Sequence, residues 1–272
     1  MNKHISTQSA RLLHHFNQQR TACFDVAAAA RALPDASDGA LRELLSGMAK
    51  RGLLLRLGKG LYYIIPYEQD PASFIPDWHL LAEHLVKKGE HYIGYYSALQ
   101  IHGLITQPSL KEQIVVARQI RPSTMTIKGI VFQFIYHNDR HFFGAQKTWV
   151  DSFHQVRCSD PEKTLVDCLY KPDYAGGIVE IARALYNVID KLDDKKLLGY
   201  IERFNSQAVI KRLGFLLEVL GLESKIIDRL QKLKTASYVL LDTELPKSGK
   251  RHSRWGVQQN LDTETIQSAI RT

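Results

Sequence analysis

Asp38-Gly39-Ala40-Leu41-Arg42-Glu43-Leu44-Leu45-Ser46-Gly47-Met48-Ala49-Lys50-Arg51-Gly52 is followed at once by Leu53-Leu54-Leu55-Arg56-Leu57-Gly58-Lys59-Gly60-Leu61-Tyr62-Tyr63-Ile64-Ile65. In the first run Leu41, Leu44, Leu45 and Met48 recur at helical spacing, which predicts a helix to about Arg51, with Gly52 as its stop. In the second, two strand-like runs flank Gly58-Lys59-Gly60, the pattern of a β-hairpin. Working outward, Ser6 to Gln19 carries Leu12, Leu13 and Phe16 on one helical stripe. Asp25 can cap a second helix through Ala27–Ala30 and Leu33, and Pro34 stops it. Three short helices and then a small hairpin is the order of a winged helix-turn-helix domain, predicted over residues 1–66.

The charge distribution agrees with that reading. The chain of 272 residues has a net charge of +8. Residues 1–66 hold nine Lys/Arg against four Asp/Glu, a net of +5, whereas residues 67–243 hold 22 against 21. Residues 244–272 hold five against three, a net of +2. A local basic excess favours a polyanion such as double-stranded DNA, because neutralising phosphates releases their counterions. No apolar run approaches the roughly 18 residues of a transmembrane helix, and the N-terminus lacks the apolar core of a signal peptide. Cys23, Cys158 and Cys168 are odd in number and unpaired in spacing, as expected of reduced thiols in a cytoplasmic protein without membrane attachment.

With its apolar face on the core, the third helix turns Asp38, Gly39, Arg42, Glu43, Ser46 and Lys50 outward. Its N-terminal end can enter a major groove. The candidate DNA-binding residues are Ser37, Asp38, Gly39, Arg42, Ser46, Lys50, Arg51, Arg56 and Lys59. Arg42 is the candidate for a base edge, since a guanidinium grips guanine with two parallel bonds. Lys50, Arg51, Arg56 and Lys59 are assigned to phosphates, and Gly39 leaves space for close approach. The acidic Asp38 and Glu43 on the same face count against any single contact, and the wing carries one charge only.

Pro71 and Pro76 mark residues 67–77 as a linker, leaving 78–272 as a larger C-terminal domain. Trp78 to Lys88 reads as an amphipathic helix. Ser97 and Gln100 have capping-box spacing, and Gln113–Ala117 and Thr126–Tyr136 read as strands. Ser159-Asp160-Pro161-Glu162 reads as a helix start with Ser159 and Glu162 as a capping box. Helices are predicted at about 178–190, 194–205, 207–220 and 223–233, then a strand at Tyr238–Leu241. The fold class is therefore α+β, a winged helix-turn-helix followed by a mixed but mostly helical domain. Lys247, Lys250, Arg251 and Arg254 stand together with His252 and no acid, a candidate surface for DNA or a protein partner.

Several of these segments, in order, resemble the AbiEi-like antitoxins of type IV toxin–antitoxin and phage-abortive-infection systems. They are Ser97-Ala98-Leu99 to His102-Gly103-Leu104, Asp160-Pro161-Glu162-Lys163-Thr164-Leu165-Val166-Asp167, Tyr174-Ala175-Gly176-Gly177, Arg212-Leu213-Gly214-Phe215, and Leu241-Asp242-Thr243 with Arg254-Trp255 and Asn260. The resemblance implies that the N-terminal domain represses its own operon by binding inverted repeats in the promoter. It also implies that the C-terminal domain counters a toxin of the nucleotidyltransferase fold. It transfers no catalytic residue.

Chemistry-bearing patterns are sparse. Asp160, Glu162 and Lys163 faintly suggest a nuclease site, but the carboxylates share one helix start, where capping and the helix dipole account for them. His137 and His141 flank a turn, without the Glu of a His-Glu-x-x-His site. His102 reads as a helix C-terminal or core histidine. No catalytic residue, metal or cofactor is assigned, and the expectation is a non-enzymatic repressor. Two other readings stay open on the residues: a stand-alone winged-helix regulator with a ligand-sensing C-terminal domain, and a metal-dependent nuclease.

Overall fold

The structure, a computed structural model, describes residues 3–58, 60–86, 89–109 and 111–270. Among these the chain is mixed α/β, with eleven α-helices and three sheets. It divides into two compact units. The first is Met1–Lys88 with Met125–Phe132 and Trp149–Val156; the second is Gly89–Thr124, Gln133–Thr148 and Arg157–Thr272.

The first unit opens with α1 (Thr7–Gln18), whose start is capped by the Ser6 hydroxyl accepting from the Ser9 amide at 3.3 Å. Strand β1 (Cys23–Asp25) leads directly into α2 (Val26–Ala32), capped by the Asp25 carboxylate on the Ala28 amide at 2.8 Å. Then come α3 (Asp38–Lys50), β2 (Leu54–Gly58), β3 (Leu61–Ile64) and α4 (Trp78–Leu85). The strands form an antiparallel sheet in the order β1-β3-β2, with Cys23 opposite Tyr63 and Leu54 opposite Ile64. Gly58 and Gly60 take φ of 103° and 76° between β2 and β3, a region that excludes most side chains. Leu12, Phe16, Phe24, Leu41, Leu45, Met48, Leu53 and Tyr62 make the core, where Phe16 stacks on Phe24 at 4.1 Å. Strand β1 is a finding beyond the sequence reading: three residues are too few to show alternation. Helix α4 ends at Leu85, and Lys87 and Lys88 of the predicted helix lie outside the described residues.

The later elements begin with β4 (His91–Ile93), α5 (Tyr95–Ile101), β5 (Lys111–Val116), β6 (Thr124–Ile127), β7 (Ile130–Tyr136), β8 (Ala145–Trp149) and β9 (Gln155–Ser159). These six strands lie in one sheet of order β6-β7-β5-β4-β9-β8, in which β4 runs antiparallel to β5 and parallel to β9. The helical part is α6 (Pro161–Tyr170), α7 (Gly177–Val188), α8 (Asp194–Phe204), α9 (Gln207–Val219) and α10 (Ile227–Leu233). A three-stranded sheet of β10 (Val239–Leu240), β11 (Lys250–His252) and β12 (Val257–Gln259), and then α11 (Thr263–Ser268), complete it. Helix α6 is the axis, packed against α5, α7, α8 and α9, and every residue from Glu162 to Leu169 is buried. A helix enclosed all round needs partners for each polar group it carries.

Both predicted capping boxes are replaced by other arrangements. Helix α5 starts at Tyr95, so Ser97 sits inside it, and the Ser97 hydroxyl accepts from the Gln113 amide of β5 at 2.9 Å. At α6, Pro161 occupies the first turn and the Asp160 carboxylate takes the Lys163 amide at 2.9 Å. Glu162 turns instead to the Asp193 amide at 3.1 Å and the Lys196 ammonium at 2.8 Å.

Candidate nucleic-acid interface

Helix α3 buries Leu41, Leu45 and Met48 and exposes Asp38, Gly39, Arg42, Glu43, Ser46 and Lys50. Arg42, Ser46 and Lys50 lie at i, i+4 and i+8, so they form one row along the helix. Ser37 is the N-cap, its hydroxyl accepting from the Ala40 amide at 3.3 Å. The half-buried Arg51 donates from Nη2 to the Ser9 hydroxyl at 3.1 Å and lies over Gly47. Arg56 is exposed on β2, and Lys59 lies outside the described residues. The structure thus brings Arg42, Ser46 and Lys50 onto one free surface and ties Arg51 into the helical packing.

The tail cations are not equivalent. Lys247, Lys250 and Arg251 are exposed, and the Arg251 guanidinium stands 5.2 Å over the Tyr238 ring. Arg254 pairs with Glu218 at 3.2 Å. The same carboxylate accepts from the indole nitrogen of fully buried Trp255 at 2.6 Å. Among the described residues, Arg254 is thus the one of the four cations that a carboxylate partly neutralises.

The second unit has a buried polar frame that sequence reasoning missed. The fully buried Lys163 ammonium donates to Asp167 one turn on, and to the Tyr92 hydroxyl at 2.9 Å. Tyr92 also donates to Asp167 at 3.2 Å. His137 joins through Nε2 and the Tyr95 hydroxyl at 2.8 Å, and its Nδ1 lies 3.8 Å from Asp167. Phe143 and Phe204 flank the ammonium at 4.9 and 5.3 Å from their ring centroids. Burial pushes His137 down to about 4 against the opposing pull of Asp167, so the imidazole is neutral at pH 7. Burial also lowers Lys163, although Asp167 favours its charged form. The only sequence signal was the Lys163–Asp167 spacing, which reads equally well as a surface pair.

The other chemistry candidates are held in place in the same way. His141 stacks on Phe204 at 3.8 Å, and its Nε2 lies 3.1 Å from the Phe204 carbonyl. His102 closes α5 through its backbone amide, its Nε2 lies 2.7 Å from the Ser159 carbonyl, and burial lowers its pKa. Asp160 accepts from the Tyr200 hydroxyl at 2.8 Å; burial, then Asp160 itself, pushes that phenol up to about 12. Among the described residues no group of three or more His, Cys, Asp or Glu is placed to hold a metal ion. No helix there is long and apolar enough to cross a membrane.

The remaining motifs interlock. The Asp242 carboxylate takes the Ile178 amide at 2.8 Å, capping α7 from a distant segment, and Gly177 (φ 83°) leaves it room. Asn260 receives the Asp242 amide at 3.0 Å and returns a bond to the Asp242 carbonyl at 2.8 Å. Arg212 donates to the Leu169 carbonyl at 2.7 Å and the Leu240 carbonyl at 2.8 Å, joining the end of α6 to β10. These side chains hold the fold together, and none of them converges on an open cleft.

Residues 92–219 match the family described as the AbiEi antitoxin C-terminal domain. The resemblance read from the sequence is thereby borne out over that stretch. No curated protein sequence matches the chain. Among solved structures the chain is similar to the RV2827C protein from Mycobacterium tuberculosis, with a TM-score of 0.69 at 15% identity, covering 100% of this chain and 97% of that one. At that identity the likeness is one of fold.

Proposed function

Residues 92–219 carry an AbiEi-type antitoxin domain, and from that premise we propose that the chain is the antitoxin of a type IV, AbiE-like system. In this reading it represses its own promoter, counteracts a nucleotidyltransferase-like toxin and catalyses no reaction. The family match carries the antitoxin half. Residues 1–66 serve as a winged helix-turn-helix domain and 67–77 as a linker, and the antitoxin-type domain lies within 78–272, beyond α4, which belongs to the first unit. The order α1-β1-α2-α3-β2-β3, with a sheet of order β1-β3-β2, supports the winged-helix assignment.

Within that domain α3 is the recognition helix, with Arg42 on a guanine edge and Ser46 beside it. Lys50, Arg56 and Lys59 contact phosphates, whereas Arg51, held on Ser9, serves the helical packing. The free row Arg42–Ser46–Lys50 on a helix whose opposite face is buried supports this. Lys247, Lys250 and Arg251 are a second basic surface, for DNA or for the toxin.

The test is co-expression of the full chain with the nucleotidyltransferase-like toxin of its own operon, alongside a mobility shift on its own promoter. Rescue of growth together with a sequence-specific shift is expected. A chain that neither protects nor shifts the promoter would defeat the reading. Neutralising Lys247, Lys250 and Arg251 in the full chain separates the tail's roles. A shallower salt dependence with unchanged sequence preference assigns it to phosphates, and lost protection with intact repression assigns it to the toxin.

A further inference from the structure

Gly39, Glu43, Gly47 and Arg51 follow one another at every fourth position, forming a second row on α3 beside Arg42, Ser46 and Lys50. A β-carbon at Gly39 would meet nothing within 4 Å, and one at Gly47 would meet only the Arg51 guanidinium at 3.4 Å. Neither glycine has a positive φ, and a helical glycine is less favourable than alanine. Among the described residues nothing calls for Gly39. Glu43 therefore projects beside the open Gly39, along a groove of about 720 Å³ that also touches Ser37, Gly47 and Arg51, with the Arg51 guanidinium covering Gly47 one turn on. Among the described residues its carboxylate makes no hydrogen bond or ion pair.

A carboxylate on a surface that approaches DNA is repelled by phosphates and by the acceptor atoms of guanine and thymine. In the major groove the amino group of cytosine is a donor it can meet. Adjacent helix positions differ by about 100°, so Glu43 addresses a base pair beside the one that Arg42 addresses.

We infer that Glu43 is a specificity-determining residue that accepts a hydrogen bond from a cytosine amino group next to the guanine held by Arg42. The open flank at Gly39 gives the carboxylate its clearance, and its charge penalises every site that lacks the donor. The acid on the reading face is thus a discriminator. The assignment rests on the DNA-binding reading proposed above.

The test is selection from a random double-stranded DNA library by the full-length chain and by Glu43→Gln, followed by titrations of single-base variants at several salt concentrations. The wild type is expected to enrich a fixed cytosine, and replacing it by thymine to weaken binding about tenfold. Glu43→Gln should shift that position toward adenine, whose edge matches a carboxamide, with the Arg42 guanine and the salt slope unchanged. Identical base preferences for Glu43→Gln at every position would overturn the assignment while leaving DNA binding standing. A wild type that enriches no sequence would overturn the DNA-binding reading and the assignment together. The melting temperature should be the same for both proteins; a fall of several degrees would give Glu43 a structural role and overturn the assignment.

Discussion

Trp255 and Gly214 share one space: the six-membered ring of the tryptophan occupies the volume that a β-carbon on Gly214 would need. The indole is fully buried and its nitrogen is fixed on Glu218, so the ring has little freedom to retreat. Gly214→Ala should therefore destabilise the second unit by about 3 kcal/mol or more, as overpacking of a dense core does. Gly199→Ala, on α8, is the control, because a β-carbon there meets nothing within 4 Å. That change should stabilise by about 0.5–1 kcal/mol. Urea unfolding of the two variants checks the contrast, and equal effects would refute the packing argument.

The pair Lys163–Asp167 supports a second expectation. Lys163→Met removes one charge and leaves the other buried, which should cost about 3–5 kcal/mol. Lys163→Met with Asp167→Leu removes both charges and should cost less than the single change, though Tyr92 then loses its carboxylate partner. Denaturant midpoints of the wild type, the single and the double variant decide it. A double variant less stable than the single would mean that shape, not charge pairing, dominates at this site.

His137 sets a pH dependence whose sign is fixed. Its folded pKa is about 4, below the unfolded value near 6.5, so the unfolded chain takes up the proton first. The stabilising contribution is complete above about pH 6.5 and is lost as pH falls toward 4, on the order of 3 kcal/mol in all. Stability measured at intervals across that window should fall less steeply in His137→Gln than in the wild type. Equal slopes would exclude His137 as the source.

The N-terminal unit was the more legible half, because its information is local. The stripe of Leu41, Leu45 and Met48 and the glycines at 58 and 60 each act within a few residues. Asp25 also appears in sequence as the cap it is in the structure. The second unit was legible as a run of helices but not as a network. Asp242 caps a helix 64 residues upstream, and Arg212 reaches carbonyls 43 and 28 residues away. No periodicity encodes such pairs. Strands β4, β8 and β9 escaped because the first is three residues long, the second has no polar–apolar alternation, and the third alternates over only the four residues Gln155–Cys158. Lys163 was misleading for a physical reason: a lysine near a helix start normally faces water, and here an aromatic enclosure and Asp167 take the place of water.

The central claim is that operator recognition lies on α3 and toxin neutralisation on the domain matched over residues 92–219. The most direct measurement uses the full-length Arg42→Ala protein, assayed in parallel for binding to its own promoter and for rescue of growth from the toxin. Arg42 is exposed and outside the hydrophobic core, so the change should leave folding intact. The account predicts a loss of promoter affinity of roughly 10- to 100-fold, as for a lost bidentate base contact, with protection undiminished. Unchanged promoter binding, or loss of protection by the folded variant, would contradict it.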